Sequence, residues 1–409
     1  MRIVPPAGRP RQRPLPGPWR SAHEAGEYVY LDHAATSYPK PPEVIAAMVE
    51  YMRCSGGNPG RSGHRLSIAA AMVIHETREA VATLFGAPDP LRVVFTPNVT
   101  YAVNLILKGL LRPGDRVVTS SMEHNAVMRP LRALERRGVK LTVVPCDRRG
   151  CLDPAGFRCA LAGGARLAVV NHASNVTGTI LPLAELSQAA HAAGALLLAD
   201  VAQTGGVCPV DMQALGVDIL AFTGHKGLLG APGTGGLILG PRVDPESIEP
   251  LVCGGTGSQS ELEEQPDYLP DRFESGTANG VGLAGLRAGV SYVLRQGVQN
   301  IRAHERELTW LLLDGLARIP GVTVHGPQDP DKSVAVVSFS VPAMPAGEVG
   351  TQLEEDFGLL CRTGLHCAPA AHKTIGTLPG GTVRMSLGLT NTEADVERAI
   401  EAVAEVARR

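Results

Sequence analysis

The residue best suited to chemistry in this sequence is Lys226, one of only six lysines among 38 basic side chains. It lies between two apolar segments, Ile219–Phe222 and Leu237–Leu239, and glycines follow it on its C-terminal side. Desolvation makes a lysine lose its proton more easily, and the neutral amine attacks aldehydes. Lys226 is therefore a candidate to form a Schiff base with pyridoxal phosphate (PLP). The alternative, which is favoured when the lysine is taken alone, is a strand-end side chain that extends its ammonium into solvent.

Polar residues also follow other predicted strands, at the carboxyl ends where open α/β sheets bind their ligands. Asp200 follows the apolar run Ala195–Ala199 and could pair with a protonated pyridine nitrogen, which would make the ring an electron sink. Asn175 follows the strand Leu167–Asn171 and could donate to a ring hydroxyl. The alternatives are a helix cap for the aspartate and a local turn for the asparagine.

A phosphate group needs backbone N–H groups and hydroxyls at the start of a helix. The segment Thr96–Thr100 directly precedes an apolar helix and offers the N–H groups of Val99 and Thr100, although a plain helix cap would look the same. Three further residues are candidates for the same cofactor. Thr223 and His225 flank Lys226 and could reach the phosphate, and His124 could stack on a ring.

The last candidate group is Cys361-Arg-Thr-Gly-Leu-His-Cys367. Cys367 follows a glycine-containing turn beside His366, a setting that favours a reactive thiolate, whereas Cys361 ends an apolar run and is expected in the core. A zinc site is not expected, because the cysteine and histidine spacing matches no common zinc motif. A dinucleotide loop at residues 230–236 is not expected either, because the order of glycines is wrong.

The composition excludes several classes of protein. The net charge of −2 and the 19% of charged residues give no footprint for nucleic acid or a membrane surface, and no apolar run is long enough to span a bilayer. The eight cysteines are dispersed, which indicates free thiols in a reducing compartment, the cytoplasm.

The length of 409 residues is enough for two domains. We expect a disordered Pro/Arg-rich extension at residues 1–25, a large domain at 26–285 and a small C-terminal domain at 286–409 that carries Cys367. Apolar strands alternate with helices, which indicates an α/β fold with a mostly parallel seven-stranded sheet covered by helices. The predicted strands are Arg92–Thr96, Arg116–Ser120, Leu141–Val144, Leu167–Asn171, Ala195–Ala199, Ile219–Phe222 and Leu237–Leu239. In the small domain, one strand is predicted at Leu359–Arg362.

Eight motifs in order resemble one family, the cysteine desulfurases and selenocysteine lyases of the class V aminotransferase group, PLP enzymes of fold type I. The resemblance extends from Tyr30 to the C-terminus. The motifs are Leu31-Asp-His-Ala-Ala-Thr36, Met122-Glu-His-Asn125, His172-Ala-Ser-Asn-Val-Thr-Gly178, Ala199-Asp-Val-Ala-Gln203, Thr223-Gly-His-Lys226, Phe273-Glu-Ser-Gly-Thr-Ala-Asn279, Arg362-Thr-Gly-Leu-His-Cys367 and Arg384-Met-Ser-Leu387.

The resemblance implies a role for each candidate. Lys226 would carry PLP, Asp200 would face the pyridine nitrogen, and His124 would stack on the ring. Gln203 and Asn175 would contact the ring hydroxyl. The phosphate would be held by Val99, Thr100, Thr223 and His225, and by Thr277 of a second subunit, since these enzymes are homodimers. Arg384, with Asn175 nearby, would bind the substrate carboxylate, for which a planar guanidinium is better suited than lysine.

By the same resemblance, the chain is expected to remove sulfur from L-cysteine, giving alanine and a persulfide on Cys367 for transfer to an acceptor protein. Leu365 departs from the family pattern, which usually has a second histidine at this position. The alternatives are selenocysteine lyase activity, an aminotransferase or lyase in which Cys367 is incidental, and a non-catalytic sulfur carrier or scaffold.

Overall fold

The computed structural model describes residues 28–60 and 62–409, so the predicted disordered extension at residues 1–25 lies outside the described part. Its centre is a seven-stranded sheet. The strands are β2 (Val93–Thr96), β3 (Arg116–Ser120), β4 (Lys140–Val144), β5 (Leu167–Asn171), β6 (Leu196–Asp200), β7 (Ile219–Thr223) and β8 (Gly235–Leu239).

The order across this sheet is β2-β8-β7-β6-β5-β3-β4. β7, β6, β5, β3 and β4 are parallel to one another, and only β8 runs antiparallel, against both β2 and β7. Every residue of β5, β7 and β8 is buried, as expected for strands covered on both faces. The predicted mostly parallel seven-stranded α/β sheet is confirmed.

Helices cover both faces of the sheet. One core cluster places the apolar sides of α3 (Val99–Leu110) and α4 (Asn125–Glu135) on the sheet. A second cluster on the sheet joins α2 (Arg65–Phe85), α5 (Pro154–Leu161), α6 (Leu183–Ala192) and α7 (Gly280–Gln296). Helix α1 (Pro42–Cys54) begins with proline at its first turn and packs on α7 together with α2.

The C-terminal part has its own core, which includes Leu312, Phe339 and Val403. Its four-stranded antiparallel sheet has the order β12-β13-β10-β9. Its elements are α8 (Val298–Ala317), β9 (Thr323–His325), β10 (Val336–Ser340), α9 (Ala346–Phe357), β11 (Leu359–Leu360), β12 (Arg362–Gly364), α10 (Pro369–Ile375), β13 (Thr382–Ser386) and α11 (Glu393–Val406).

The N-terminal strand β1 (Val29–Tyr30) pairs in parallel with β11, so the start of the described chain is attached to its C-terminal part. The sequence predicts one strand through Leu359–Arg362, whereas the structure has two that pair with different partners on either side of Cys361. The boundary predicted after residue 285 falls inside α7, and the division into domains remains a proposal.

The parallel strands bring distant polar residues to one edge of the large sheet. β3, β5, β6 and β7 end at Ser120, Asn171, Asp200 and Thr223, and Asn171 lies beside Asp200 in the register of β5 and β6. Because parallel strands end at the same edge, the loops that follow them meet there. These loops carry His124, Asn175 and Lys226.

The turn after Lys226 depends on a close approach between two backbones. A Cβ atom at residue 227 would lie 2.5 Å from the carbonyl oxygen of Gly205, in the segment that follows Asp200. Only glycine allows this contact without a shift of one of the two loops. The position of Lys226 relative to β6 is therefore fixed partly by Gly227.

We expect Gly227→Ala to lower the free energy of unfolding by about 1–3 kcal/mol, since the added methyl group overpacks a rigid backbone contact. The measurement is urea unfolding followed by circular dichroism. Gly347→Ala is the matched control, because a Cβ atom there meets nothing within 4 Å in the first turn of α9. Equal unfolding free energies in the two variants would contradict the packing role of Gly227.

Candidate active site

A cavity of about 310 Å³ lies at the carboxyl edge of the large sheet, between the sheet and the C-terminal part of the chain. Arg362, His366 and Asn98 line it, although the sequence did not single them out as site residues. The predicted site residues that line it are Val99, Thr100, His124, Asn175, Thr223, His225, Lys226 and Arg384.

Lys226 is half-buried in the cavity wall, and desolvation lowers the pKa of its ammonium to about 8. The negative charge of Asp200 opposes this shift but does not cancel it. Asp200 is buried at the end of β6, where its Oδ1 accepts a hydrogen bond from the Ala202 N–H at 2.9 Å. Desolvation raises the pKa of Asp200 in turn, while Lys226 lowers it. Both groups are therefore shifted toward their neutral forms, which suits an amine that must act as a nucleophile.

Asp200 and Gln203 do not line the large cavity. Gln203 lines a smaller cavity of about 50 Å³ behind Lys226, together with His33 and Glu305. Its Nε2 donates to the carbonyl oxygen of Ala34 at 3.2 Å. The predicted contact of Gln203 with a ring hydroxyl therefore remains a proposal.

His124 is the N-cap of α4, where its Nδ1 accepts the N–H of Ala126 at 3.0 Å. Because Nδ1 is an acceptor, the neutral ring carries its proton on Nε2. Burial, followed by the charge of Lys226, lowers the pKa of His124 to about 4. The side chain at this wall of the cavity is thus an uncharged imidazole that can donate one hydrogen bond.

The other end of the cavity has the features of an anion site. Asn98 caps α3 by accepting the N–H of Tyr101 at 3.0 Å, and helix geometry leaves the N–H groups of Val99 and Thr100 without intrahelical acceptors. The hydroxyl of Thr223 is buried and has no hydrogen-bond partner among the described residues. Desolvation lowers the pKa of the neighbouring His225 to about 4.

Thr277 is exposed and does not line the cavity of its own chain. Its loop is held to the large sheet by a buried ion pair between Glu274 and Arg78, and Glu274 also accepts the N–H of Phe95 at 2.6 Å. The loop thus presents Thr277 outward from a fixed base. A contact between Thr277 and a second subunit remains a prediction.

Arg384 lies on β13 and is almost completely buried. One terminal nitrogen lies 2.6 Å from the carboxylate of Asp32, and the other donates to the carbonyl oxygen of Asn175 at 3.0 Å. Its Nε has no partner among the described residues. Asp32 was not predicted as a site residue, although it belongs to the motif Leu31–Thr36. The ion pair keeps the guanidinium at the cavity wall.

Cys367 is exposed, and its Sγ lies 3.5 Å from a terminal nitrogen of Arg362. His366 and Cys367 both adopt left-handed backbone conformations, with φ of 47° and 58°. The carbonyl oxygen of His366 accepts from Asn175 Nδ2 at 2.6 Å, and that of Cys367 accepts from the N–H of Asn125 at 2.9 Å. Two segments of the cavity wall therefore hold the backbone that carries Cys367.

Cys361 is different, since burial raises the pKa of its thiol to about 12. It packs against the C-terminal core, as the sequence predicts. Leu365 is half-buried, and the imidazole of His366 points inward, with its Nε2 3.0 Å from the hydroxyl of Thr382. Of the two cysteines, only Cys367 is accessible beside a cation.

The residues of this cavity fit PLP. The lowered pKa of Lys226 favours reaction of its amine with an aldehyde. The free helix N–H groups and the unpaired Thr223 hydroxyl can donate hydrogen bonds to a phosphate. The Oδ1 atom of Asn175 is also buried without a partner among the described residues, so the wall offers an unused acceptor.

The model of one protein family, aminotransferase class-V, matches residues 29–399. A probable cysteine desulfurase of Methanothermobacter thermautotrophicus is 37% identical, with 93% of this chain and 95% of that protein covered. A cysteine desulfurase of Haloferax volcanii is 33% identical, with 92% and 88% covered.

Solved structures agree with these sequence matches. The apo structure of cysteine desulfurase from Thermococcus onnurineus has a TM-score of 0.87 and 34% identity, with 93% of this chain and 95% of that chain covered. The cysteine desulfurase CsdA of Escherichia coli has a TM-score of 0.82 and 29% identity, with 93% and 95% covered.

A second lysine, Lys40, lies close to the same loop. Its Nζ donates to the Ser37 hydroxyl and to the carbonyl oxygen of His225, each at 2.7 Å. Burial lowers the pKa of Lys40 to about 8 as well. Unlike Lys226, it does not line the large cavity, and its hydrogen bonds restrict the amine.

In the protein without PLP, we expect labelling of Lys226 by trinitrobenzenesulfonate to be half-maximal near pH 8, because only the neutral amine reacts and burial lowers this pKa. The reference compound Nα-acetyl-lysine amide should reach half-maximal labelling near pH 10, close to the ordinary value for lysine of about 10.4. Peptide mapping of the labelled protein gives each profile. Lys40 should react slowly, and a Lys226 profile equal to that of the reference compound would contradict the burial effect.

Proposed function

The chain belongs to the aminotransferase class-V family, and from this membership and the geometry of the cavity we propose that it is a PLP-dependent L-cysteine desulfurase. Relatives at 32–37% identity over at least 90% of this chain are named cysteine desulfurase or probable cysteine desulfurase. The products are L-alanine and a persulfide on Cys367, which passes its sulfur to an acceptor.

One observation favours a desulfurase over an aminotransferase, namely an accessible cysteine next to the cavity. Cys367 lies beside Arg362, which lines the same cavity as Lys226. The thiolate is the nucleophilic form of cysteine, and a guanidinium nitrogen 3.5 Å from the sulfur can form an ion pair with it. The backbone around it is held in a left-handed conformation by Asn175 and Asn125, as expected for a side chain that has to be aimed.

The residues that would hold PLP follow from the site. Lys226 would hold it covalently, and the N–H groups of Val99 and Thr100 with the side chains of Thr223 and His225 would bind its phosphate. Asp200 would bind the pyridine nitrogen. When bound, PLP withdraws electrons from the α-carbon of an amino acid.

Arg384 would bind the carboxylate of L-cysteine. Its Nε is unpaired among the described residues, and Asp32 and the Asn175 carbonyl fix the direction of its planar head group. His124 would stack on the cofactor ring, and the N–H at its Nε2 would donate a hydrogen bond to the substrate. Asn175 connects Arg384 to the segment of Cys367. Its carbonyl oxygen accepts from Arg384, and its side-chain amide donates to the carbonyl oxygen of His366, the residue before Cys367.

In the sulfur-transfer step, the thiolate of Cys367 attacks the sulfur of bound cysteine. A sulfur–sulfur bond forms while the bond between the substrate sulfur and its β-carbon breaks. The carbon fragment keeps the electron pair of that bond and takes up a proton as it becomes alanine. No external oxidant is needed, because the substrate carbon is reduced while the sulfur of Cys367 is oxidised to the persulfide.

We further propose a homodimer in the cytoplasm. The outer sides of α1 and α2 expose large apolar side chains, among them Ile45 (58% exposed), Met52 (59%), Ile68 (54%) and Met72 (49%). Exposed apolar surface of this kind favours association with another protein surface. A second copy of the chain on this surface would allow the outward-facing Thr277 to contribute to its partner's phosphate site. No helix in residues 28–60 or 62–409 has the length and apolar character needed to cross a bilayer.

The direct test is to incubate the PLP-loaded protein with L-cysteine and dithiothreitol and to measure sulfide and alanine together. Equal amounts of both products support the desulfurase. Parallel assays with L-selenocysteine and with a 2-oxo acid measure the two rival activities. Amino transfer without sulfide would contradict the proposal.

We expect Cys367→Ser to bind PLP normally but to lower alanine formation by roughly a hundredfold or more, because the attacking thiolate is lost. Cys361→Ser is the matched control. It should retain sulfur transfer while losing about 1–3 kcal/mol of stability, since a hydroxyl replaces a buried thiol. Mass spectrometry of the digested wild type after a brief L-cysteine pulse locates the added sulfur. Finding it on Cys361, or full turnover in Cys367→Ser, would overturn the assignment.

The double substitution Met52→Glu with Ile68→Glu should convert the dimer to monomer, because it buries carboxylates in an apolar interface. Sedimentation velocity measures the change, and the affinity for PLP should fall with it if Thr277 acts across the interface. Leu91→Glu is the control, since Leu91 is 47% exposed but follows the opposite, C-terminal end of α2. A wild-type protein that is monomeric with PLP bound and active would refute the shared site.

A further inference from the structure

The solvent-facing side of α4 is a row of arginines. Arg129, Arg132 and Arg136 are exposed and follow Asn125 at intervals of four, three and four residues, so all four side chains share one side of the helix. The opposite side is buried: Ala126, Val127, Met128, Pro130, Leu131 and Leu134. We refer to Arg129, Arg132 and Arg136 as the arginine row.

The helix that carries the arginine row begins next to Cys367. The N–H of Asn125, the first residue of α4, donates to the carbonyl oxygen of Cys367 at 2.9 Å. Arg129 lies one turn farther along the helix, and helical side chains tilt toward the N-terminus, which is the end at Cys367. Arg129 is also close enough to His124 to contribute to its lowered pKa, as Arg362 does. Both Arg362 and the first turn of the helix that carries the row are therefore close to the accessible Cys367.

Few carboxylates balance these charges. No aspartate or glutamate occurs between Asp356 and Glu393, the segment that contains Cys367 and α10. Glu123, just before α4, is fully buried, and desolvation raises its pKa to about 8, so it is largely uncharged at neutral pH. Glu135 pairs with Arg132 at 2.8 Å, whereas Arg129 and Arg136 have no carboxylate partner in the described chain. In a protein of net charge −2, this surface is locally basic.

We infer that the arginine row is the docking surface of the sulfur acceptor, and that this acceptor is a protein with acidic residues around its receiving thiol. This inference rests on the proposed desulfurase activity, because it concerns where the persulfide sulfur goes. Opposite charges on two surfaces steer their encounter and fix its orientation. The acceptor's thiolate attacks the outer sulfur of the Cys367 persulfide, forms a new sulfur–sulfur bond and releases the Cys367 thiolate.

The size of the row favours a protein partner. From Asn125 to Arg136 the helix spans about 16 Å at 1.5 Å per residue, which is longer than a small thiol. Three arginines, one of them paired with a glutamate, are few for nucleic acid, whose binding depends on many phosphate contacts. A folded protein with a carboxylate cluster beside one cysteine matches the length, the charge and the position next to the thiol.

The test uses the PLP-loaded enzyme, charged with sulfur by one equivalent of L-cysteine, and two synthetic pentapeptide acceptors. Each peptide has one central cysteine, flanked by four glutamates or by four lysines. The glutamate peptide should take sulfur about tenfold faster than the lysine peptide at low salt. The ratio should approach one in 1 M salt, where charges are screened within about 3 Å.

Arg129→Glu combined with Arg136→Glu should abolish or reverse this preference, while alanine formation with uncharged dithiothreitol stays at the wild-type rate. Arg158→Glu, at an exposed arginine of α5, is the matched control and should keep the preference. An equal rate for both peptides in the wild type, or an unchanged preference in the double variant, would overturn the inference. So would a single-stranded oligonucleotide that binds through the same two arginines in the absence of any peptide preference.

A second readout does not depend on desulfurase activity. In the resting enzyme, iodoacetate and iodoacetamide alkylate thiols with the same group but differ in charge. Their rate ratio at Cys367, normalised to N-acetylcysteine amide, should favour the anion and should fall in the double variant. A normal ratio would overturn the basic surface at Cys367. Anion preference without any alanine from L-cysteine would instead refute the proposed function and leave the surface assignment standing.

Discussion

The burial of Lys226 is the constraint on which the rest of the structure depends. An ammonium beside a buried carboxylate is costly to desolvate, and the structure leaves the amine with a pKa near 8. Lys226 lies at the carboxyl edge of the parallel sheet. Asp200 is the last residue of β6 there, and the loop after β7 brings Lys226 close to Asp200. Because Gly227 has no side chain, the two loops can approach each other closely at Gly205.

The C-terminal part of the chain completes the site over this edge. Arg384 crosses to Asp32 near the N-terminus and to the carbonyl oxygen of Asn175, so three distant segments meet at one guanidinium. The same Asn175 donates to the backbone just before Cys367. Movement of the Cys367 segment would therefore disturb the wall of the cavity. We infer that residues of the cavity wall position the thiol, rather than a separate mobile loop.

Uncharged histidines inside the cavity lie next to a positively charged surface in this molecule. Inside the cavity, burial keeps His124, His225 and His366 uncharged, with pKa values lowered to about 4, 4 and 2. Positive charge lies on Arg362 in the cavity wall and on the arginine row outside the cavity. Uncharged imidazoles suit stacking and hydrogen bonding to a cofactor and a substrate, and a charged rim suits recruitment of a partner. Cys367 lies at the boundary between the two.

The sequence by itself determined the sheet, its strands and most of the cavity residues. Buried parallel strands are continuous apolar runs, so β3 and β5 could be bounded from local composition alone, and strand ends predict the position of Asp200 and Lys226. Family motifs supplied the individual roles, which remain proposals. Only the tertiary structure decided that Asp32 partners Arg384, that Gln203 lies behind Lys226, and that Cys361 divides two strands of different sheets. Each of these depends on packing between segments far apart in the chain, which local periodicity does not encode. The arginine row shows both levels. Its spacing is visible in the sequence, whereas the hydrogen bond that places its first turn at Cys367 exists only in the folded chain.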